Sequence, residues 1–306
     1  MTGGHSHVPT GTATSRHRRR LVLVVGITAA VFVAQVIGGL VSGSLALLAD
    51  AGHMLTDSTG LIIALIATAL AARPATDART FGLQRVEILA ALTNGLLLVG
   101  IAVWVLLRAI DRWNQPVEIS GGLMLAVAVV GALANLAGLL ILRGGKEESL
   151  NLRGAYLEVL GDLLGSLAVI VAAIVITVTG YTRADSIASI AIFALIIPRA
   201  WSLIRDVVDV LLEATPKGVD LDQVRVHIKK VPGVVDVHDL HAWTITSGVP
   251  VLSVHVVVDA DSLADNGAGQ VLDKLGECLG DHFDVAHCTF QLEPVGHQAH
   301  EPAQHR

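Results

Sequence analysis

The chain has 306 residues, of which 53% are hydrophobic and only 16% charged, and its formal net charge is −6. A soluble protein of this length would carry roughly 25% charged residues. The mean hydropathy of +0.64 and the long apolar blocks exclude an ordinary soluble enzyme and predict a membrane protein.

The first segment of the chain is polar. It contains His5, His7 and His17. We predict that residues 1–20 form a disordered tail, whose histidines either collect metal loosely or have no fixed role.

Six apolar blocks follow the tail, and each is about long enough to cross a bilayer as a helix. The blocks are 21–41, 46–72, 86–110, 122–142, 155–180 and 187–203. We therefore predict a six-helix transmembrane domain over residues 21–209.

The basic residues between the predicted spans are unevenly distributed. If the N-terminus is cytoplasmic, the inner segments hold ten of them: Arg16, Arg18, Arg19, Arg20, Arg73, Arg79, Arg85, Arg143, Lys146 and Arg153. The outer loops hold three, namely Arg108, Arg112 and Arg183. Because cytoplasmic loops carry the excess of Lys and Arg, we predict a multi-pass protein of the cell membrane (inner or plasma membrane) with both termini cytoplasmic.

Two of the predicted spans contain pairs of metal-ligand residue types. His53 and Asp57 lie four residues apart in the second span, and Glu158 and Asp162 have the same spacing in the fifth. Residues at this spacing share one face of a helix. An aspartate near the centre of the bilayer costs roughly 2.5–3.5 kcal/mol to insert, so these groups need a compensating partner.

The second and fifth spans run in opposite directions, which places the four residues at similar depth. One imidazole and three carboxylates suit a divalent cation, and zinc accepts four such donors in a tetrahedral shell. The alternative is that these groups bond neighbouring helices and bind nothing, but two such pairs on antiparallel helices favour a metal site. Asp50, one turn before His53, either guides ions outward or serves packing.

The chain becomes more polar after about residue 210. Helical and strand-like periods alternate there: a helix over 220–230, strands over 234–246 and 249–258, a helix over 267–281 and a strand over 285–292. We predict an α-β-β-α-β cytoplasmic domain over 210–295, with His238 and His255 on adjacent strands. Residues 296–306, with His297, His300 and His305, are predicted to form a second disordered tail.

Four sequence motifs resemble one known family. They are SLALLADAGHMLTDS, TFGLQRVEILAALTNG, SLNLRGAYLEVLGDLLGS and VHDLHAW. Together they are similar to the cation diffusion facilitator family, and within it to the zinc, cadmium and cobalt efflux branch. The resemblance covers nearly the whole chain.

The resemblance implies a proton-coupled exporter of divalent metals that works as a homodimer and has a ferredoxin-like cytoplasmic domain. It places the transport site on His53, Asp57, Glu158 and Asp162. It also places His238, His255 and Glu293 at positions that hold a regulatory metal in some members. Gln291 stands where another ligand would be, and His287, with Cys288 beside it, is a candidate replacement ligand.

One residue departs from the zinc branch, which normally has histidine where this chain has Glu158. A carboxylate there makes the site harder, so an exporter that prefers manganese or iron is an alternative. A passive metal channel or a metal sensor are further alternatives. We expect no enzyme activity, because the HExxH motif of metalloproteases is absent. We also expect no prosthetic group and no nucleic-acid partner. The expected partners are metal ions, protons, a second copy of the chain and the lipid bilayer.

Overall fold

A computed structural model describes residues 12–143, 150–264, 267–283 and 287–300. The chain folds as two compact units. The helical unit is Met1–Ile62 with Thr93–Ser202, and the sheet unit is Ile63–Leu92 with Leu203–Arg306.

Six long helices come first in the chain. They are α1 (Thr12–Ser42), α2 (Leu45–Ala71), α3 (Val86–Asn114), α4 (Gly121–Leu142), α5 (Leu150–Thr179) and α6 (Arg183–Leu211). Each is long and apolar enough to cross a membrane. A helix suits the bilayer because it satisfies its backbone hydrogen bonds within the segment.

All six helices extend beyond at least one predicted bound, and α1 and α6 extend furthest. α1 begins at Thr12, inside the segment 1–20 that was predicted to be disordered, because adding residues to an existing helix is far easier than starting one. Residues 1–11 lie outside the described part of the chain. α6 is 29 residues long and continues through Pro198, which membrane helices tolerate when surrounding groups satisfy the freed carbonyl.

Small side chains let the helices of the helical unit pack closely. α4 packs against both α1 and α5. Gly38 of α1 lies so near Val127 of α4 that a Cβ atom would meet its Cγ2 at 2.6 Å. The core shared by α2 to α6 is rich in alanine: Ala46, Ala49, Ala102, Ala128, Ala172, Ala173, Ala184, Ala188 and Ala200. Such residues allow close approach of membrane helices, where the hydrophobic effect gives little drive for association.

The remaining elements belong to the sheet unit. They are α7 (Leu221–Lys229), β1 (Val234–Thr244), β2 (Pro250–Val258), α8 (Ala260–Leu263), α9 (Gly267–Phe283) and β3 (His287–Pro294). The sheet has the order β1-β2-β3, with β1 antiparallel and β3 parallel to β2. This arrangement matches the predicted α-β-β-α-β order, with the one-turn helix α8 added.

The core of the sheet unit lies between the sheet and the helices α7 and α9. It is built from buried aliphatic residues, among them Val224, Ile228, Leu252, Val256, Leu275 and Leu279. The pairing of β1 with β2 is irregular between His238 and His241, and Asp239 in this bulge has a φ of 46°. After β3, His297–His300 form a short 3-10 helix, so this part of segment 296–306 has local order that the sequence did not predict.

Candidate metal sites

The helical unit brings the predicted α2 pair together. His53 Nε2 lies 3.4 Å from Asp57 Oδ2, one turn further along the helix. His53 is buried and Asp57 is half-buried. His53 and Asp57 therefore share one face of α2, as their i, i+4 spacing predicts, and their side chains point in the same direction.

The α5 pair joins the same cluster. The carboxyl groups of Glu158 and Asp57 lie within hydrogen-bond reach of each other, and Glu158 also interacts electrostatically with His53. Asp162 is buried and interacts electrostatically with Asp57 and Glu158. The four predicted residues thus lie near one another between α2 and α5, although no three of their ligand atoms come within 4.8 Å of one another in the described residues, and we refer to the four as the intramembrane site.

Several atoms that could ligate a metal in the intramembrane site are buried and make no hydrogen bond within the described residues. They are His53 Nδ1, Asp57 Oδ2 and Asp162 Oδ1. A buried polar atom without a partner is costly, and native structures rarely keep one without a reason. One nitrogen and two oxygens without a hydrogen bond thus belong to residues of one site, and a cation is a group that such atoms bind.

Asp50 lies in a buried layer beside the intramembrane site. Its Oδ2 accepts a 2.6 Å hydrogen bond from Gln35 Nε2 of α1, and it interacts electrostatically with Asp162. Gly165 of α5 packs directly on it, since a Cβ atom there would lie 2.6 Å from Asp50 Oδ1. Asp50 therefore connects α1, α2 and α5 next to the four candidate ligands.

A basic residue that was not predicted from the sequence lies at this site. Arg199 of α6 places its Nη1 3.7 Å from Asp57 Oδ2. It also interacts electrostatically with His53, Glu158 and Asp162. The signal was available, because Arg199 is a charged residue inside the predicted span 187–203, directly after Pro198.

A second missed residue fixes the start of α2. The Asp185 carboxylate of α6 is buried and accepts hydrogen bonds from Ser44 Oγ at 2.6 Å, Leu45 N at 2.8 Å and Ala46 N at 3.1 Å. Arg112 Nη1 of α3 donates to the same carboxylate at 3.3 Å and to the Gly43 carbonyl at 2.6 Å. A carboxylate at a helix N-terminus satisfies its free N–H groups and complements its dipole, so α6 holds the helix that carries His53 and Asp57.

The sheet unit contains a second cluster, formed by His238, His255 and Glu293. His238 and His255 are paired residues of β1 and β2, and Glu293 lies on β3 beside them. His238 Nε2 is 3.1 Å from Glu293 Oε2, and His255 Nδ1 is 2.8 Å from Glu293 Oε1. One ligand atom from each residue lies within 4.8 Å of the others, and we call this group the sheet cluster.

The dimensions of the sheet cluster suit a metal ion. Donors about 2.0–2.1 Å from a tetrahedral zinc are roughly 3.3 Å apart, close to both distances above. Burial of Glu293 works against its charge, but hydrogen bonds from His238 and Gln291 and the charges of the two histidines outweigh it and lower its pKa. The carboxylate is thus held in the charged form that ligates metal.

Asp239 orients His255 from the side opposite Glu293. Asp239 Oδ2 lies 3.6 Å from His255 Nε2, while its Oδ1 lies 2.8 Å from His241 Nε2. At 3.6 Å the Asp239 carboxylate makes an ion-pair contact rather than a hydrogen bond with His255, and it stands behind the ring nitrogen that faces away from Glu293, as partners of metal-ligating histidines do. The positive φ of Asp239 in the bulge brings its carboxylate to this position.

His287 does not join the sheet cluster. It begins β3 opposite Val251, six residues before Glu293, and six strand residues span about 20 Å. Its exposed ring packs edge-on against Phe81 with centroids 5.8 Å apart. His287 thus lies about 20 Å along β3 from Glu293 in the described geometry. Gln291 is the β3 residue beside Glu293 in the sheet cluster, and its side-chain nitrogen donates to Glu293 Oε1 at 2.7 Å. Cys288 is half-buried, and burial raises its thiol pKa.

Comparison with known proteins accounts for both units. Residues 21–212 match the family described as the cation efflux transmembrane domain. Residues 216–295 match the cation efflux protein cytoplasmic domain. The chain belongs to the cation efflux family. This confirms the predicted resemblance to the cation diffusion facilitator family and the predicted fold class. Members of this family are transporters, so the expectation that the chain is not an enzyme is confirmed as well.

Full-length relatives support this membership. The chain is 44% identical to the metal cation efflux system protein CzcD of Cupriavidus metallidurans, covering 100% of this chain and 94% of the relative. It is 41% identical to the zinc transporter ZitB of Escherichia coli, covering 96% and 93%. It is 38% identical to the cadmium, cobalt and zinc/H(+)-K(+) antiporter of Bacillus subtilis, covering 96% and 93%.

A solved structure matches the sheet unit alone. It is the metal-bound C-terminal domain of the CzcD transporter from the same Cupriavidus species, 47% identical over 24% of this chain and 99% of that domain, with a TM-score of 0.23.

Proposed function

We propose that this protein exports zinc, and with it cadmium and cobalt, from the cytoplasm in exchange for protons. The intramembrane site is the transport site, and it opens alternately to the two sides of the membrane. The observation that carries this proposal is the set of buried donor atoms without a hydrogen bond: His53 Nδ1, Asp57 Oδ2 and Asp162 Oδ1. Ionisable residues inside a membrane most often mark an ion pathway.

Protons and metal compete for the same atoms in this mechanism. Histidine and carboxylate side chains ligate a metal only in the deprotonated state, so metal binding releases protons. Protons that enter from the outside displace the metal outward by the same equilibrium. The names of the relatives include zinc transport and a cadmium, cobalt and zinc/proton-potassium antiporter, which supports both the cargo and the coupling.

Glu158 supports a second candidate cargo. Its carboxylate replaces a softer imidazole with a hard oxygen donor, and three carboxylates around one histidine also suit manganese or iron. A reconstituted competition assay among zinc, cadmium, cobalt, manganese and iron would decide the order of preference.

The test of export uses purified full-length protein in proteoliposomes. An imposed pH gradient should drive zinc uphill against its own gradient, and Asp57→Asn protein should not accumulate zinc. Zinc flux that ignores the pH gradient contradicts the exchange mechanism and indicates a passive channel. Zinc binding without any flux indicates a sensor.

We further propose that the sheet cluster binds a regulatory metal ion. The protein works as a homodimer. It lies in the cell membrane with both termini in the cytoplasm. The metal proposal is supported by the 2.8 and 3.1 Å separations between Glu293 and the two histidines. Calorimetry with zinc on full-length protein should lose one class of sites in His255→Ala. Light scattering of detergent-solubilised protein, with and without zinc, should give the mass of two chains.

A further inference from the structure

Arg199 is a permanent cation beside a site built to bind cations. Its Nη1 lies 3.7 Å from Asp57 Oδ2, which is also one of the atoms without a hydrogen bond. Its electrostatic field reaches His53 on α2 and both Glu158 and Asp162 on α5. The transport mechanism above assigns no task to this residue.

The charges around the site explain why a guanidinium is present. Asp57, Glu158 and Asp162 offer three negative charges when they ligate a metal, and a divalent ion neutralises only two of them. An unneutralised charge is costly inside a membrane protein. Arginine stays protonated, so Arg199 supplies the remaining positive charge.

Arg199 is placed to move. Its side chain is 51% exposed, whereas the Asp57 side chain is 10% exposed. A long, half-exposed side chain that makes a 3.7 Å ion pair can leave Asp57 Oδ2 when a metal arrives and return when the metal departs. Throughout, its positive charge repels the bound metal and lowers the affinity of the site.

We propose that Arg199 neutralises the one negative charge that a bound divalent ion leaves on the three carboxylates of the site. When the site is empty, Arg199 pairs with Asp57. When a metal is bound, its positive charge keeps the metal affinity low enough for release. It is a positioning and affinity-setting residue rather than a metal ligand. This inference depends on the proposed transport site. It links two features of the sequence, because the need for Arg199 comes from the extra carboxylate of Glu158.

The test compares five variants of full-length protein in zinc-binding calorimetry and in proteoliposome transport at one fixed pH. The variants are Arg199→Gln, Arg199→Lys, Glu158→His, the double variant Glu158→His/Arg199→Gln, and Arg205→Gln. Arg205 is exposed and lies six residues further along α6, about 9 Å along the axis, so Arg205→Gln is the matched control.

Removing the positive charge should tighten binding and slow release. We expect Arg199→Gln to lower the zinc Kd and KM by at least about tenfold, with a fall in kcat, because a unit charge some 5 Å from a dication has an effect of that size even at the dielectric constant of water. Arg199→Lys and Arg205→Gln should stay within about twofold of wild type. The double variant loses one negative and one positive charge, so the net charge of its site equals that of wild type, and its Kd and kcat should return towards the wild-type values.

Several results would overturn the inference. One is an Arg199→Gln protein with unchanged or weaker zinc binding. Another is a double variant that binds zinc as tightly as Arg199→Gln does, because the charge count requires its affinity to return towards that of wild type. If Arg199→Gln does not fold, Arg199→Met, which also removes the charge but keeps an apolar side chain of similar length, takes its place in each comparison. Failure of the proposed transport site looks different, since Asp57→Asn would then bind zinc as wild type does.

Discussion

Asp57 is the residue at which charged groups from three helices meet. Its carboxylate lies near His53 on its own helix, Glu158 on α5 and Arg199 on α6. A change at any of these partners therefore changes the charge and shape of one shared site, and effects of single substitutions at the site should not add.

Glu158 should determine which metals the site prefers. We expect Glu158→His to keep zinc transport and to lower manganese and iron transport relative to zinc, because an imidazole is a softer donor than a carboxylate. Glu158→Ala should weaken transport of all these metals, since it leaves three donors.

The measurement is competitive uptake of these metals in proteoliposomes. The control is Glu158→Gln, which removes the charge but keeps the size. If both the His and Gln variants kept the wild-type order of metals, Glu158 would be outside the ligand shell and would act only as an attractor of cations.

Asp239 should set the metal affinity of the sheet cluster without touching the metal. Loss of a carboxylate behind a histidine ligand typically costs 10–100-fold in affinity, so Asp239→Asn should weaken zinc binding at the cluster by about tenfold or more. The measurement is zinc calorimetry on full-length protein. His287→Ala is the control and should change nothing, since its ring packs on Phe81. Equal losses in the two variants would contradict this assignment.

At the scale of the elements, α5 must lie directly against Asp50. Gly165→Ala should impair transport severely, because its Cβ would lie 2.6 Å from Asp50 Oδ1 and displace either the helix or the carboxylate. Gly161→Ala on the same helix is a matched control, as a Cβ at Gly161 meets no atom of the described residues within 4 Å.

Both substitutions replace glycine with a better helix former one turn apart. The measurement is zinc transport together with the thermal unfolding temperature of each variant. A Gly165→Ala protein that transports as well as Gly161→Ala would show that α5 and Asp50 do not need this close contact.

Helical periodicity predicts which residues of α2 and α5 share a face, but it does not predict how α6 packs against them. The pairs His53/Asp57 and Glu158/Asp162 follow from the 3.6-residue period alone. Arg199 and Asp185 escaped prediction because their contacts depend on the rotation of α6 against α2. The position of His287 apart from the sheet cluster could not be predicted, because strand register, which puts Gln291 opposite His255, is not contained in residue spacing.

At the scale of the whole molecule, the uneven distribution of arginine and lysine predicts how the chain lies in the membrane. Tags fused to the N-terminus and to the C-terminus should both be protected from external protease in intact cells and be cleaved after permeabilisation. A tag placed after Gly180, in the short connection between α5 and α6, should be cleaved in intact cells. Cleavage of either terminal tag in intact cells would reverse the predicted topology.

Family membership and chemistry agree at this scale, although they come from different parts of the chain. The match to the cation efflux transmembrane domain covers residues 21–212, which include the intramembrane site. The match to the cytoplasmic domain covers 216–295, which include the sheet cluster. Each matched region therefore contains one group of candidate metal ligands.

The hydrogen bonds between Asp185 and the first turn of α2 also have a geometric consequence for motion. If α2 tilts relative to α6, these bonds make its N-terminal end the pivot, and displacement grows with distance from that end. His53 lies about 12 Å and Asp57 about 18 Å along the axis from Leu45, at 1.5 Å per residue. A tilt of about 10° would then move His53 by roughly 2 Å and Asp57 by roughly 3 Å, which is as long as a metal–ligand bond or longer. A small lever motion of one helix is thus large enough to take a ligand out of the coordination shell while its anchored end stays in place.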